Sequence, residues 1–227
     1  WNTAVEIEGG TNGNVCIGYD IAINASNIPV ISYLNDTDNA LSRATGNAND
    51  ATSFTLVDLD TTATGSSLTS ICVDSAGTVW VAGQDSDGTL MVYEDTIQRD
   101  TGYNAGVVKQ MSVVADGTNI YLFYEDANED IVYDKWNGSS WLGRTVLETG
   151  TYNTAKAKWA RYVDYDSGGT NRAGAGGRLE LDYTFADETA TPDIWFNTLS
   201  LVTPSTGAPN PFTNTNLPFL EIMGVGN

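Results

Sequence analysis

Val73-Asp74-Ser75-Ala76-Gly77-Thr78-Val79-Trp80 reads as an apolar residue, a polar turn of small residues, and the start of another apolar strand. The same form recurs at Ile23–Val30 (INASNIPV) and at Val114–Tyr121 (VADGTNIY). The strands that follow also align. Ile31, Val81, Leu122 and Leu181 fall in one column, and Tyr33, Gly83, Tyr124 and Tyr183 in the column two residues on. An acidic turn and a third strand come next, where Leu41, Met91, Ile131 and Ile194 align. A period of about 40–50 residues that holds four short strands marks the blades of a β-propeller.

The repeat predicts an all-β fold of four blades, each of four antiparallel strands. Blade one covers 15–65, with strands at Tyr19–Ile23, Pro29–Leu34, Ala40–Ala44 and Phe54–Leu59. Blade two covers 66–105, with strands at Thr69–Val73, Thr78–Gly83 and Leu90–Glu94 and a weak one near Gln98. Blade three covers 106–150, with strands at Gln110–Val114, Asn119–Glu125, Asp130–Trp136 and Trp141–Glu148. Blade four covers 151–203, with strands at Lys158–Asp164, Arg178–Phe185 and Asp193–Leu201. Its outer strand is expected from Trp1–Glu8 (WNTAVEIE), which resembles Trp141–Glu148 (WLGRTVLE), so that the two chain ends clasp one blade. The rival architecture is a segment of a five- to seven-bladed ring. Residues 204–227 form a Pro-rich tail holding Leu217–Met223 (LPFLEIM). That short apolar strand suits packing on its own propeller, self-association, or docking on a neighbouring domain.

Composition supports one exported all-β domain. The chain has 227 residues, 23 of them glycine, and no segment keeps a 3.6-residue apolar period. No apolar run approaches the ~18 residues that cross a bilayer, so membrane insertion is not expected. Acidic residues outnumber basic ones 29 to 10, a formal charge of −19, which repels phosphate backbones and argues against nucleic-acid binding. Such a surface fits a protein working outside the cell, at a cell surface or on a virion. Histidine is absent, which removes the commonest general base at neutral pH. Cys16 and Cys72 are expected to be free thiols, because their strand positions are too far apart for a disulfide.

The strand pattern and the Val73–Trp80 phrase resemble exported propellers related to sialidases, glycan-binding lectin propellers and virion host-recognition proteins, over about Val15 to Val202. The resemblance is architectural. The sialidase Asp-box, S-x-D-x-G-x-T-W, is not completed at Ser75–Trp80, which lacks its Asp and its spacing. No Phe/Tyr-Arg-Ile-Pro phrase occurs, and no catalytic residue is carried over.

Two patterns carry candidate chemistry. The hairpins between second and third strands are acidic: Asp36 and Asp38, Asp85 and Asp87, Asp126 and Asp130, then Asp187, Glu188 and Asp193. They should share one face of a propeller. Closely spaced carboxylates there could ligate Ca²⁺, the one cofactor the sequence suggests; the plainer reading is that Asp, Asn and Gly make good hairpin turns. The second pattern is a basic island, where Trp159, Arg161, Arg172 and Arg178 could grip an anionic sugar or a carboxylate. Its rival is simple compensation of acidic neighbours. Asp74 and Asp164 end equivalent strands and would be the acid pair of a glycosidase, although that position more often caps a turn. Tyr103, Trp136, Trp141 and Tyr152 are candidate sugar-stacking aromatics, with Trp141 expected to pack between blades.

These readings point to a non-enzymatic module that recognises a glycan or surface receptor, within an exported or virion-associated protein. The alternatives are a structural subunit of a filament, tail or surface layer, and a sialidase-like glycoside hydrolase.

Overall fold

The computed structural model describes residue 7, residues 16–35, 39–61, 68–99, 101–106 and 111–149, and the backbone of four further strands within 152–218. Four antiparallel four-stranded sheets follow one another along the chain. The first holds β1 (Cys16–Ile23), β2 (Pro29–Asn35), β3 (Ala40–Gly46) and β4 (Phe54–Asp60). The second holds β5 (Thr69–Val73), β6 (Val79–Gln84), β7 (Leu90–Glu94) and β8 (Ile97–Gln98). The third holds β9 (Met111–Asp116), β10 (Asn119–Glu125), β11 (Ile131–Trp136) and β12 (Trp141–Glu148). The fourth holds β13 (Tyr152–Lys158), β14 (Glu180–Asp187), β15 (Ile194–Ser200) and β16 (Leu217–Pro218). Strand order within each sheet is strand order in the chain.

Successive sheets meet through their first strands: β1 lies against β5, β5 against β9, and β9 against β13. This radial stacking of meandering sheets is a β-propeller. A hydrogen-bonded relay ties three of the inner strands. Asp20 on β1 accepts the Ser70 hydroxyl at 3.0 Å and the Ile71 amide at 3.1 Å, while the Ser70 oxygen accepts the Val113 amide at 3.1 Å.

The core lies between the sheets. Val30, Leu34 and Leu41 of the first sheet pack with Ile71, Val79, Val81, Met91 and Tyr93 of the second. The alternate residues of the second sheet, Trp80, Ala82, Leu90 and Val92, pack with Met111, Val113, Ile120, Leu122, Tyr124 and Val132 of the third. Because both of its faces are covered, β6 (VWVAGQ) is buried along its whole length and shows no alternation of apolar and polar residues. Cys72, beside this second cluster, is a free thiol whose pKa burial pushes well up, with Asp74 and Asp20 adding to the shift.

Three details depart from the expected pattern. The first hairpin of the third sheet is tighter than its counterparts. Val73 opposes Val79 and Ile23 opposes Pro29, but Asp116 opposes Asn119 across Gly117, at φ 59°, and Thr118. Val114 therefore sits opposite Tyr121 as Cys72 sits opposite Trp80, one place away from the expected alignment with Val73. Such a slip exchanges the two faces of a strand. Likewise, the second-sheet counterpart of Leu41 and Ile131 is Leu90 and not Met91.

The first strand of the fourth sheet is Tyr152–Lys158, upstream of the expected Lys158–Asp164, with Ala157 opposite Tyr183. The alternation of Ala155 and Ala157 with Lys156 and Lys158 already makes a two-faced strand there. At the outer edge of that sheet, Leu217 and Pro218 from the tail pair with Phe196 and Trp195. The tail strand thus occupies the edge assigned to Trp1–Glu8. Apart from Ile7, that opening segment lies outside the described residues.

Candidate functional site at the seam of the second and third sheets

The seam between the second and third sheets gathers aromatic and charged side chains that lie far apart in the chain. Along it, Trp80 packs at a 54° tilt 5.9 Å from Trp136, and Trp136 meets Trp141 edge-on at 5.7 Å. Arg99, just past β8, lies 5.6 Å over the Trp136 ring and pairs with Glu94 at 2.8 Å. The Trp141 indole N–H donates to the Arg99 carbonyl, fastening the outer strand of one sheet to the end of the other. Trp136 is only 7% exposed, so it is a packing residue. Trp141 is half-buried and packs between sheets, as its sequence position suggests.

The connection from β8 to β9 crosses this seam and brings Tyr103 to it. The Arg144 guanidinium, on β12, lies 5.2 Å over the Tyr103 ring. Its Nη1 donates to the Tyr103 hydroxyl at 2.8 Å and to the Asp126 carboxylate. Asp126 is fully buried, whereas the Arg144 side chain is 32% exposed. Below them, Tyr103 packs at 5.9 Å from Tyr124, whose hydroxyl donates to Asp134 at 2.8 Å. Burial pushes the Tyr124 hydroxyl up, reinforced by the charge on Asp134. Asp134 is itself held above the usual carboxylate range by burial, with the Tyr124 hydrogen bond and Arg144 opposing the shift. The outcome is a half-buried aromatic ring beside a guanidinium fixed by a buried carboxylate. Such a ring offers an apolar plane, and the planar donor fork, with five N–H groups, is oriented before any ligand arrives.

The acidic hairpins of the second and third sheets use carboxylates in their own turns; those of the first and fourth, with Glu188 and Asp193, lie outside the described residues. Asp85 accepts the Asp87 amide at 2.6 Å. Asp87 accepts the Thr89 amide at 2.8 Å, and its bonds from the Thr89 side chain and backbone hold it below its ordinary pKa. Asp126 accepts the amides of Asn128 at 2.8 Å and Asp130 at 3.1 Å, besides its pairing with Arg144. Among the described residues, no group of three or more His, Cys, Asp or Glu stands together in a way that could hold a metal ion. Asp36 and Asp38 lie outside the described residues, as do Trp159, Arg161, Arg172, Arg178 and Asp164.

Asp74 is likewise a turn residue. Its Oδ1 accepts the amides of Ala76 and Thr78, both at 2.9 Å, and its Oδ2 accepts the Trp80 indole N–H at 3.2 Å. Asn24 does the same in the first sheet, for the amides of Ser26 and Ile28. Sequence reading picks out Tyr103, Trp136 and Trp141 as aromatic candidates but misses Arg144. The available signal is the strand register, which sets Arg144 opposite Asp134.

No protein-family model matches the chain, and no curated protein matches it. Solved structures do. The catalytic domain of the Coprinopsis cinerea GH62 α-L-arabinofuranosidase is similar with a TM-score of 0.50, at 12% identity, over 94% of this chain and 71% of that one. The SapL1 lectin, solved in complex with α-methyl fucoside, is similar with a TM-score of 0.51, at 11% identity, over 84% of this chain and 65% of that one. At these identities the likeness bears on the fold, and it agrees with the β-propeller read from the sheets.

Proposed function

We propose that this protein is a carbohydrate-binding propeller module and that Tyr103 and Arg144 form part of its sugar contact. The observation that carries the reading is the Arg144 guanidinium, one-third exposed and fixed between the Tyr103 ring and the buried Asp126 carboxylate. A sugar presents an apolar C–H face and a ring of hydroxyls, which suit an aromatic plane and an adjacent fork of fixed donors. The glycan ligand of the lectin with this fold, and the glycoside substrate named for the arabinofuranosidase, add support.

A glycan array, with and without calcium, followed by calorimetric titration of the strongest ligand, tests the proposal. Wild type should bind, and Arg144→Lys and Tyr103→Leu should each weaken binding by about tenfold or more, the equivalent of ~1.4 kcal/mol, while the melting temperature stays within a few degrees. No binding by folded wild type, or full binding by both variants, would overturn it. Release of sugar from the same ligands would replace binding with hydrolysis as the activity.

A further inference from the structure

The first and second sheets meet across a polar row set in apolar surroundings. Asp20 on β1, Ser32 on β2 and Arg43 on β3 stand directly opposite one another in successive strands. Strand alternation puts them on the side that carries Val30, Leu34 and Leu41, which packs with Val79, Val81 and Tyr93 of the second sheet. The corresponding row of the second sheet is Ser70, Ala82 and Val92, and its Ala82 and Val92 pack on the third sheet. A seam of this kind therefore closes without a hydroxyl or a guanidinium in its middle strands.

Both ends of the row are anchored. Asp20 Oδ2 accepts the Ser70 hydroxyl and the Ile71 amide, while its Oδ1 accepts the Ile21 amide at 2.9 Å and keeps a second lone pair. Arg43 Nη1 donates to the Asp95 carbonyl and to the Asp95 carboxylate, both at 3.3 Å, and the Arg43 side chain is 13% exposed. The middle is not anchored. Ser32 is fully buried, and neither its Oγ nor the buried Nε of Arg43 has a hydrogen-bond partner among the described residues. Leaving two neighbouring polar atoms unpaired in an apolar seam costs free energy at each. Directly opposite residues hold their Cβ atoms about 4.5–5.5 Å apart, a span that one bridging molecule crosses.

We infer that one ordered water binds in this seam, accepting from Arg43 Nε–H, hydrogen-bonded to Ser32 Oγ, and donating to Asp20 Oδ1. The charges around the row select a small neutral ligand. An anion there would face the Asp20 and Asp95 carboxylates, and a cation would face the Arg43 guanidinium. Water donates and accepts, and three mixed partners are the usual complement of a buried water. It links Asp20, already tied to Ser70 and Ile71, to Arg43 and Asp95. Hydrogen bonds then run unbroken across the seam, from the inner strands to the turn between β7 and β8.

Two measurements on the full chain test this. A crystal structure that resolves ordered solvent should show a water about 2.7–3.2 Å from both Ser32 Oγ and Arg43 Nε. In urea, Ser32→Ala should lower the unfolding midpoint, because the water loses one of its three partners. Ser32→Val should lower it further, raising the unfolding equilibrium constant by about tenfold or more, because its methyls displace the water and strand Arg43 Nε. An unpaired hydroxyl predicts the opposite sign, since removing it would leave the midpoint unchanged or raise it. A dry seam, a direct bond from Ser32 to Asp20 or Arg43, or a midpoint that neither substitution lowers would each overturn the inference.

Discussion

A Cβ added to Gly83 would sit 2.8 Å from Leu41 Cδ2 and 3.2 Å from its Cδ1. Gly83 occupies a column whose other members are tyrosines, and the space a side chain would need is filled by Leu41 of the first sheet, itself fully buried. Gly83→Val should therefore force the two sheets apart and destabilise the fold by about 1–3 kcal/mol, read as a lower midpoint in urea. Local chemistry at this scale is legible in the sequence. The turn roles of Asn24 and Asp74 follow from an Asx residue and a glycine or small residue within a few positions. Arg144 is not legible in the same way. Its partners Asp126 and Tyr103 come from a hairpin and an inter-sheet connection, 18 and 41 residues away.

At the scale of elements, the relay from Asp20 through Ser70 to Val113 joins three inner strands with one small side chain at its centre. Ser70→Ala removes the bond to Asp20 and leaves the Val113 amide without its acceptor at a buried position. The expected cost is about 1–3 kcal/mol in chemical denaturation, more than Ser→Ala at an exposed strand site would give. The strands of the first three sheets are readable because each repeats a full hairpin set at short spacing. Register is less readable. Nothing in the phrase VADGTNIY alone separates a two-residue turn from a longer one, and that choice decides which side of β9 meets the core. The fourth sheet is harder still, because β13 and β14 pair across residues 159–179 and β16 arrives from the tail.

At the scale of the molecule, charge sets a pH response. Asp134 and Asp116 are both raised by burial, against the lowering effects of Tyr124 and Arg144 on the one and Lys135 on the other. A carboxyl whose folded pKa exceeds its unfolded value binds protons more tightly when folded. Its stabilising contribution is thus fully present below the unfolded value, near pH ~4, and is lost as pH rises through the folded value. Acidification from pH ~7 toward pH ~5 should raise the melting temperature, helped by relief of the −19 charge, and Asp134→Asn should flatten that rise. Asp87, held low by Thr89, acts in the other direction, and only as pH falls below the ordinary carboxylate value. The second sheet, meanwhile, is a wall common to two rooms: one set of its residues closes one side, and their immediate sequence neighbours close the other. Loosening it would empty both at once, so thermal melting from the first sheet to the third should be a single concerted event, with no stage at which one blade peels away alone.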